Sequence, residues 1–189
     1  MQDIEPFYGW ENLYVAADDK RSPFFGRQYN LQYYENTIYG YYIHPLWDEI
    51  ESETLYCKIL FTDYDRRITV IELLGEWNDT LHNDIMHLKR NVIDHMLSAG
   101  INRFVLIGEN ILNFHGSRDD DYYVEWFEEV EEGWIAAVNF RDFVQDEWKK
   151  YKLDYYLNFG GTLDVLNWRT MKPIKFCELI DSLIVRRLT

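Results

Sequence analysis

The sequence predicts an α/β fold, a single domain with a mixed, mostly parallel central sheet and helices packed on it. Three observations carry this. Two apolar, β-branched-rich segments, residues 55–62 and 68–74, are joined by Asp63-Tyr64-Asp65-Arg66-Arg67, a connection short enough only for an antiparallel hairpin. Next, Leu81, Ile85, Leu88, Val92 and Met96 recur at the 3.6-residue period of a helix, which Asp79 or Thr80 can cap and Gly100 can close. Residues 103–108 then read as a strand apolar on both faces, as expected of a central parallel strand covered by helices.

The alternation continues through the rest of the chain. Residues 119–132 carry Tyr122, Tyr123, Trp126, Phe127 and Val130 on one helical face, and Gly133 separates them from the strand 134–138. A helix over 141–152 presents Val144, Trp148 and Tyr151, and a strand over 155–159 is stopped by Gly160-Gly161. After a loop containing Asn167-Trp168-Arg169, Pro173 opens a last helix with Phe176, Cys177, Ile180, Leu183 and Ile184 inward. The core order is ββαβαβαβα over residues 55–189, and such alternation implies right-handed crossovers and helix layers.

Residues 1–54 differ in texture, with Tyr29, Tyr33, Tyr34, Tyr39, Tyr41 and Tyr42 set among Gly26, Asn30, Asn36 and Gly40. They read as an N-terminal extension with additional strands at 13–17 and 37–43. Two roles are open to it: covering the sheet, or clasping a second subunit.

Composition narrows the function classes. A chain of 189 residues, 47% hydrophobic and 17% aromatic, buries one substantial core, and its 15 Tyr and 7 Trp suit both packing and amphipathic contact surfaces. A net charge of -14 repels phosphate backbones and anionic lipid, so neither nucleic acid nor a membrane is expected as partner. The acid concentrates in 119–132, while Arg169, Lys172, Lys175, Arg186 and Arg187 make the C-terminal end basic. Two solvated faces, or a self-complementary contact in an oligomer, both fit that asymmetry. Cys57 and Cys177 lie in apolar segments without metal or redox spacing and are expected to be buried thiols. With neither a basic n-region nor a run of about 20 apolar residues, the expected location is the cytoplasm.

Ligands of open α/β sheets bind beyond the carboxyl ends of the strands, which directs attention to a recurring dipeptide, Asn113-Phe114, Asn139-Phe140 and Asn158-Phe159. With Glu109, Asn110, His115, Ser117, Arg141 and Arg169 these asparagines form a candidate rim for a ligand or partner. Asparagine reads donors and acceptors, arginine clamps anions, and His115 exchanges a proton near neutrality. Helix capping and loop roles compete for the same residues. His82, Asp84, His87 and His95 lack the spacing of a metal helix, and the acidic runs lack that of a calcium loop, so no metal and no cofactor is expected. Ser117 lacks the G-x-S-x-G elbow of an acyl-transfer nucleophile.

The run Gly75-Glu76-Trp77-Asn78, a helix closed by Gly100, and then Arg103-Phe-Val-Leu-Ile-Gly-Glu-Asn-Ile-Leu-Asn113 resembles the STAS family of anti-sigma-factor-antagonist-like domains. The element order matches from about Cys57 to Leu188, and the sequence pattern over about 40 residues. Where that family carries its regulatory D-S-S-G-like motif, this chain has Asn113-Phe114-His115-Gly116, without the serines, so the phosphorylation switch does not carry over. The resemblance implies a regulatory module that meets a protein partner around this loop. The expected function is therefore binding without catalysis, to a protein partner or a second copy of the chain. The alternative is a small-molecule receptor or enzyme using the Asn/His/Arg rim.

Overall fold

The structure, a computed structural model, describes residues 2–188; Met1 and Thr189, the outermost residues of the two predicted segments, lie outside the described residues. Strands β1 (Asp3–Ile4), β2 (Thr37–Ile38) and β3 (Tyr41–Ile43) form a small sheet in the order β1-β3-β2. The main sheet contains β4 (Asp48–Glu49), β5 (Leu55–Asp63), β6 (Ile68–Asn78), β7 (Arg103–His115) and β8 (Trp134–Val138), side by side in chain order. The β4–β5 and β5–β6 pairs are antiparallel and the β6–β7 and β7–β8 pairs parallel, so the sheet is mixed.

Helix α1 runs through Asp84–Leu88, a π-helical turn Lys89–Ile93, and Asp94–Ser98. It is followed by α2 (Asp121–Glu129), α3 (Asp142–Lys150) and α4 (Pro173–Leu188). The pleat of β6 sends Ile71, Leu73 and Trp77 into one core with Leu88 and Val92 of α1, Trp126 of α2 and Trp148 of α3. Val70 faces the other way, into a second core with Val105, Ile107, Val138 and Phe176, Ile180 and Ile184 of α4. Trp10 and Trp168 complete that second core, their rings 5.5 Å apart, and Trp10 Nε1 donates to the carbonyl of Met171 at 2.9 Å. Cys57 and Cys177 are both buried and free, one in each core.

Several elements depart from the sequence pattern. Helix α1 starts at Asp84, because Asp79 turns inward and Asn83 adopts a left-handed conformation (φ 51°), which leaves Leu81 exposed rather than on the apolar stripe. Residues 13–17 are turns, not a strand, and residues 37–43 are a hairpin. Its loop is Tyr39-Gly40, both with positive φ, as a two-residue turn matched to strand twist requires. The strand expected at 155–159 is a 3₁₀ turn, Leu153–Tyr155, and a single parallel bridge from Ala136 to Asn158. Only Leu157 of that run is fully buried, too little apolar surface to hold a strand against β8. Conversely β7 runs on to His115, so Glu109, Asn110 and Asn113 lie within a strand instead of after one.

Gly75 in β6 has φ +126°, and a Cβ there would stand 2.0 Å from the carbonyl oxygen of Thr54, which accepts the Glu76 N–H at 2.9 Å. Gly75→Ala is expected to destabilise the fold by about 2–4 kcal/mol. Urea unfolding measures this, and an unchanged midpoint would contradict the close passage of residue 54.

Candidate functional site

The carboxyl-terminal halves of β6 and β7 carry a polar stripe on the sheet face opposite α1. Two irregularities in the β6–β7 register, between Glu72 and Leu74 and between Gly75 and Glu76, keep Glu72, Glu76 and Asn78 beside Asn110, Asn113 and His115. The stripe divides into two clusters.

In the first, Glu72 is almost fully buried. Its Oε2 accepts the Phe7 N–H at 2.8 Å, and its Oε1 accepts from Asn110 at 3.4 Å and lies 3.5 Å from Arg169 Nη2. Glu109 accepts from Asn139 Nδ2 at 2.7 Å, from Trp168 Nε1 at 2.8 Å and from Arg169 Nη1. Asn139, left-handed at φ 55°, also clasps the N–H and carbonyl of Leu166, and the Arg169 guanidinium stacks 4.5 Å over Trp168. Burial pushes the Glu72 carboxyl up to about 7, against the pull of the Phe7 N–H and Arg169. Burial acts on Glu109 the same way but is outweighed by its bonds from Asn139, Arg169 and Trp168, and its pKa falls. Carboxyls separated in this manner are the pattern of an acid/base pair. Here Phe7, Trp168 and Arg169 lie over them, and the cluster joins the N-terminal segment and the 166–169 loop to the sheet.

In the second cluster, Glu76 Oε2 accepts from Tyr39 Oη at the hairpin tip, while Oε1 accepts from Asn78 Nδ2 at 3.0 Å and lies 3.2 Å from His115 Nε2. Asn113 Nδ2 is 3.0 Å from the same His115 nitrogen. With a proton on Nε2 the imidazole donates to Glu76; without it, Nε2 accepts from Asn113. Burial raises the Glu76 pKa, but Tyr39, Asn78 and His115 together bring it below the ordinary range. His115 opens on a cleft of about 580 Å³ lined also by Thr80, Gly116, Lys150 and Tyr151, and its Nδ1 has no hydrogen-bond partner among the described residues.

The remaining rim residues stand apart. Ser117 Oγ accepts the Asp119 N–H ahead of α2, Arg141 is the exposed residue before α3, and Asn158 Nδ2 donates to the Ile135 carbonyl. The recurrence of Asn-Phe has a packing cause: Phe114, Phe140 and Phe159 converge on Trp148 of α3, with ring centroids 5.9, 4.6 and 5.1 Å away. Each asparagine is the polar neighbour of a ring turned to that tryptophan.

Among the described residues the trio that converges for a metal is Asp94, Glu125 and Glu129, and an internal cation already holds it. The Lys89 side chain is fully buried, with Nζ bonded to Asp94 and to Glu129 at 2.5 Å, and 3.5 Å from Glu125. Arg90 pairs with Glu125 through both terminal nitrogens, at 2.7 and 2.9 Å. The π-helical turn sets Lys89 and Asp94 facing each other five residues apart. His82 lies ahead of α1 with Nδ1 3.9 Å from Glu53, and Asp84 is buried and accepts from Ser52, Thr54 and the Asn78 N–H. Sequence reasoning missed Tyr39, Glu72, Glu76 and Lys89. Glu72 alone left a trace, as the single charge inside the apolar run 68–74.

Because the folded state raises the Glu72 pKa above its ordinary 4.5, it binds that proton more tightly than the unfolded chain. The associated stability is complete below about 4.5 and is lost as pH rises through about 7. Relative to Glu72→Gln, wild-type stability is expected to fall by on the order of 3 kcal/mol across that window. Denaturant titrations at several pH values read this, and parallel curves would refute it. Compared with known proteins, the chain matches no family model and no curated protein.

Proposed function

We propose that the protein is a binding module that engages a protein partner, without chemistry, through the tyrosine-rich surface of residues 29–44. One observation carries this reading: Leu31, Tyr33 and Tyr39 are each more than half exposed, with Tyr34 and Tyr41 beside them in sequence, although large apolar groups elsewhere are mostly buried. A cleft of about 490 Å³, lined by Arg27, Tyr29, Tyr33, Asn36, His44 and Glu49, runs through the same segment. Such aromatic side chains with polar tips are the usual anchors of protein interfaces.

Tyr39 adds support from its backbone. A bulky residue at φ 46° is strained, and its ring, more than half exposed, is fixed by the bond of its hydroxyl to Glu76. Through Glu76 this surface is continuous with His115 and the 113–116 stretch, where a STAS-like module would meet its partner. The net charge of -14 selects a partner with a basic surface.

A second reading, a small-molecule site, is favoured by the unoccupied Nδ1 of His115 at the mouth of its cleft, with Glu76 orienting the ring. A ligand there would move the His115 ring resonances, and Glu76→Gln would weaken its binding; a ligand that leaves those resonances in place would remove the reading.

A photo-crosslinking amino acid at Tyr33 is expected to trap one discrete protein in the host cell, or a second copy of the chain, that the same group at exposed Val165 does not trap. With the purified partner, Tyr33→Ala combined with Tyr41→Ala is expected to weaken binding about thirtyfold. Identical adducts from both positions, or unchanged affinity, would count against this surface.

A further inference from the structure

We propose that the edge of β7 beyond the end of β8 takes up an extended segment of a protein partner as an added strand, one that alternates apolar and basic side chains. The inference rests on the reading that the protein engages a protein partner, and it adds a second contact with its mode of binding. The main sheet is incomplete at this place. Strand β7 runs to His115, but its pairing with β8 stops at Ile107, because Asn139 at φ 55° turns the chain off the sheet and into α3. On its other side β7 stays paired with β6 as far as Asn78 and His115.

The backbone groups on the open edge identify the occupant. The His115 carbonyl accepts the Asp79 N–H at 2.9 Å on the β6 side, so strand alternation turns the N–H and carbonyl of Phe114 to the open edge. The Phe114 N–H donates to Asn113 Oδ1 of its own neighbour at 2.9 Å, a local bond in the place of a strand. Its carbonyl accepts from no side chain among the described residues. Leu112 is the extra residue of a bulge, since Ile111 and Asn113 of β7 face the consecutive Gly75 and Glu76 of β6. An extended peptide completes such an edge with main-chain bonds, and pockets for its alternate side chains set the specificity.

The space beside the edge supplies those pockets. Residues 113–116 form one wall of the cleft of about 580 Å³, and Phe143, Glu147, Lys150 and Tyr151 form the other. Phe114 sends its ring to Trp77 and Trp148 on the α3 side, whereas Asn113 and His115 point to the opposite face, where His115 meets Glu76. An added strand divides its side chains between the same two faces. On the α3 side they meet Phe143, 44% exposed, and the half-buried Tyr151, which selects apolar groups. On the other side they meet Glu76, which selects lysine or arginine, and Asp146 and Glu147 outnumber Lys150 in the cleft wall.

The test uses the full chain and a heptapeptide of alternating valine and lysine, with one copy N-methylated on the valines and another on the lysines. In an extended peptide these methyl groups block opposite edges. The parent peptide is expected to bind at one site and to slow hydrogen exchange at the Phe114 amide. One methylated copy is expected to bind about tenfold or more weakly, and the other to keep the parent affinity. Phe143→Ala, at an exposed position, is expected to weaken the parent about fivefold. Absence of binding, equal loss from both methylated copies, or equal binding by a peptide with its valines and lysines in separate blocks would overturn the proposal. So would a dimer in sedimentation whose second copy already protects the Phe114 amide. Crosslinking at Tyr33 does not involve this cleft, so a Tyr33 adduct without peptide binding removes the added strand and leaves the tyrosine-rich surface standing.

Discussion

The architecture rests on one topological constraint, the placement of all five main-sheet strands side by side in chain order. When successive parallel strands are neighbours, crossovers of a single hand put every connecting helix on the same face of the sheet. Helices α1, α2 and α3 accordingly share one core with Trp77 and Phe104. The opposite face receives no crossover helix and needs separate cover for Val70, Val105 and Ile107. Helix α4 supplies part of it, Leu163 and Trp168 a second part and the first ten residues a third through Trp10, with Phe7 set edge-on to Trp168 at 4.8 Å. The N-terminal segment is thereby part of the second core, and the Phe7 N–H bond to Glu72 anchors it at the point where the apolar cover ends.

The carboxyl end of β6 is where the sheet is tied to the helices of the first core, by two buried carboxylates. Asp84 accepts from Ser52 at 2.5 Å, Thr54 at 2.8 Å and the Asn78 N–H at 2.7 Å, which joins the approach to β5, the end of β6 and the start of α1. Asp79 accepts from Trp77 Nε1, the Ile85 N–H and Tyr123 Oη, linking β6 to α1 and α2. Burial costs Asp79 enough that its carboxyl is pushed up to about 6 in spite of those three donors. Removing either carboxylate strands buried donors from several elements at once, so these interactions act on the fold as a unit.

What the sequence made legible follows from local periodicity. Helix α1, strands β5, β6 and β8, helix α4 and the antiparallel start of a mixed sheet could be read because apolar spacing and turn residues agree there. Local patterns fail where long-range contacts decide. The 155–159 run has strand-like composition, yet Tyr155 points to solvent and only one bridge forms. The overhang of β7 past β8 was hidden because Glu109, Asn110 and Asn113 break the apolar run, though their polarity serves the sheet face they occupy. The Asn-Phe dipeptides fall within the end of β7, just after β8 and at the Asn158 bridge, and their shared cause, a common ring contact with Trp148, depends on α3 packing across all three. Tyr39 and Glu76 are 37 residues apart, and nothing local connects them.

Charge placement joins the interior to the surfaces. Many of the strongest cations are engaged inside or against the fold: Lys89 among three carboxylates, Arg169 between Glu72 and Glu109, Arg187 on two loop carbonyls, Arg27 and Lys58 on buried Asp48. Their fields are locally cancelled, and the excess of 33 acidic over 19 basic side chains is left to act outward. An outward acidic field accelerates encounters with positive partners and fades over about 8–10 Å at physiological salt, so it governs approach more than residence. Residence must come from groups that are rigid and desolvated on contact. The Tyr39 turn is of that kind, displaying an aromatic edge that the bond to Glu76 holds in place. An acidic excess of this kind acts at a distance and without direction, so discrimination at contact falls to the few side chains whose geometry the core has already fixed.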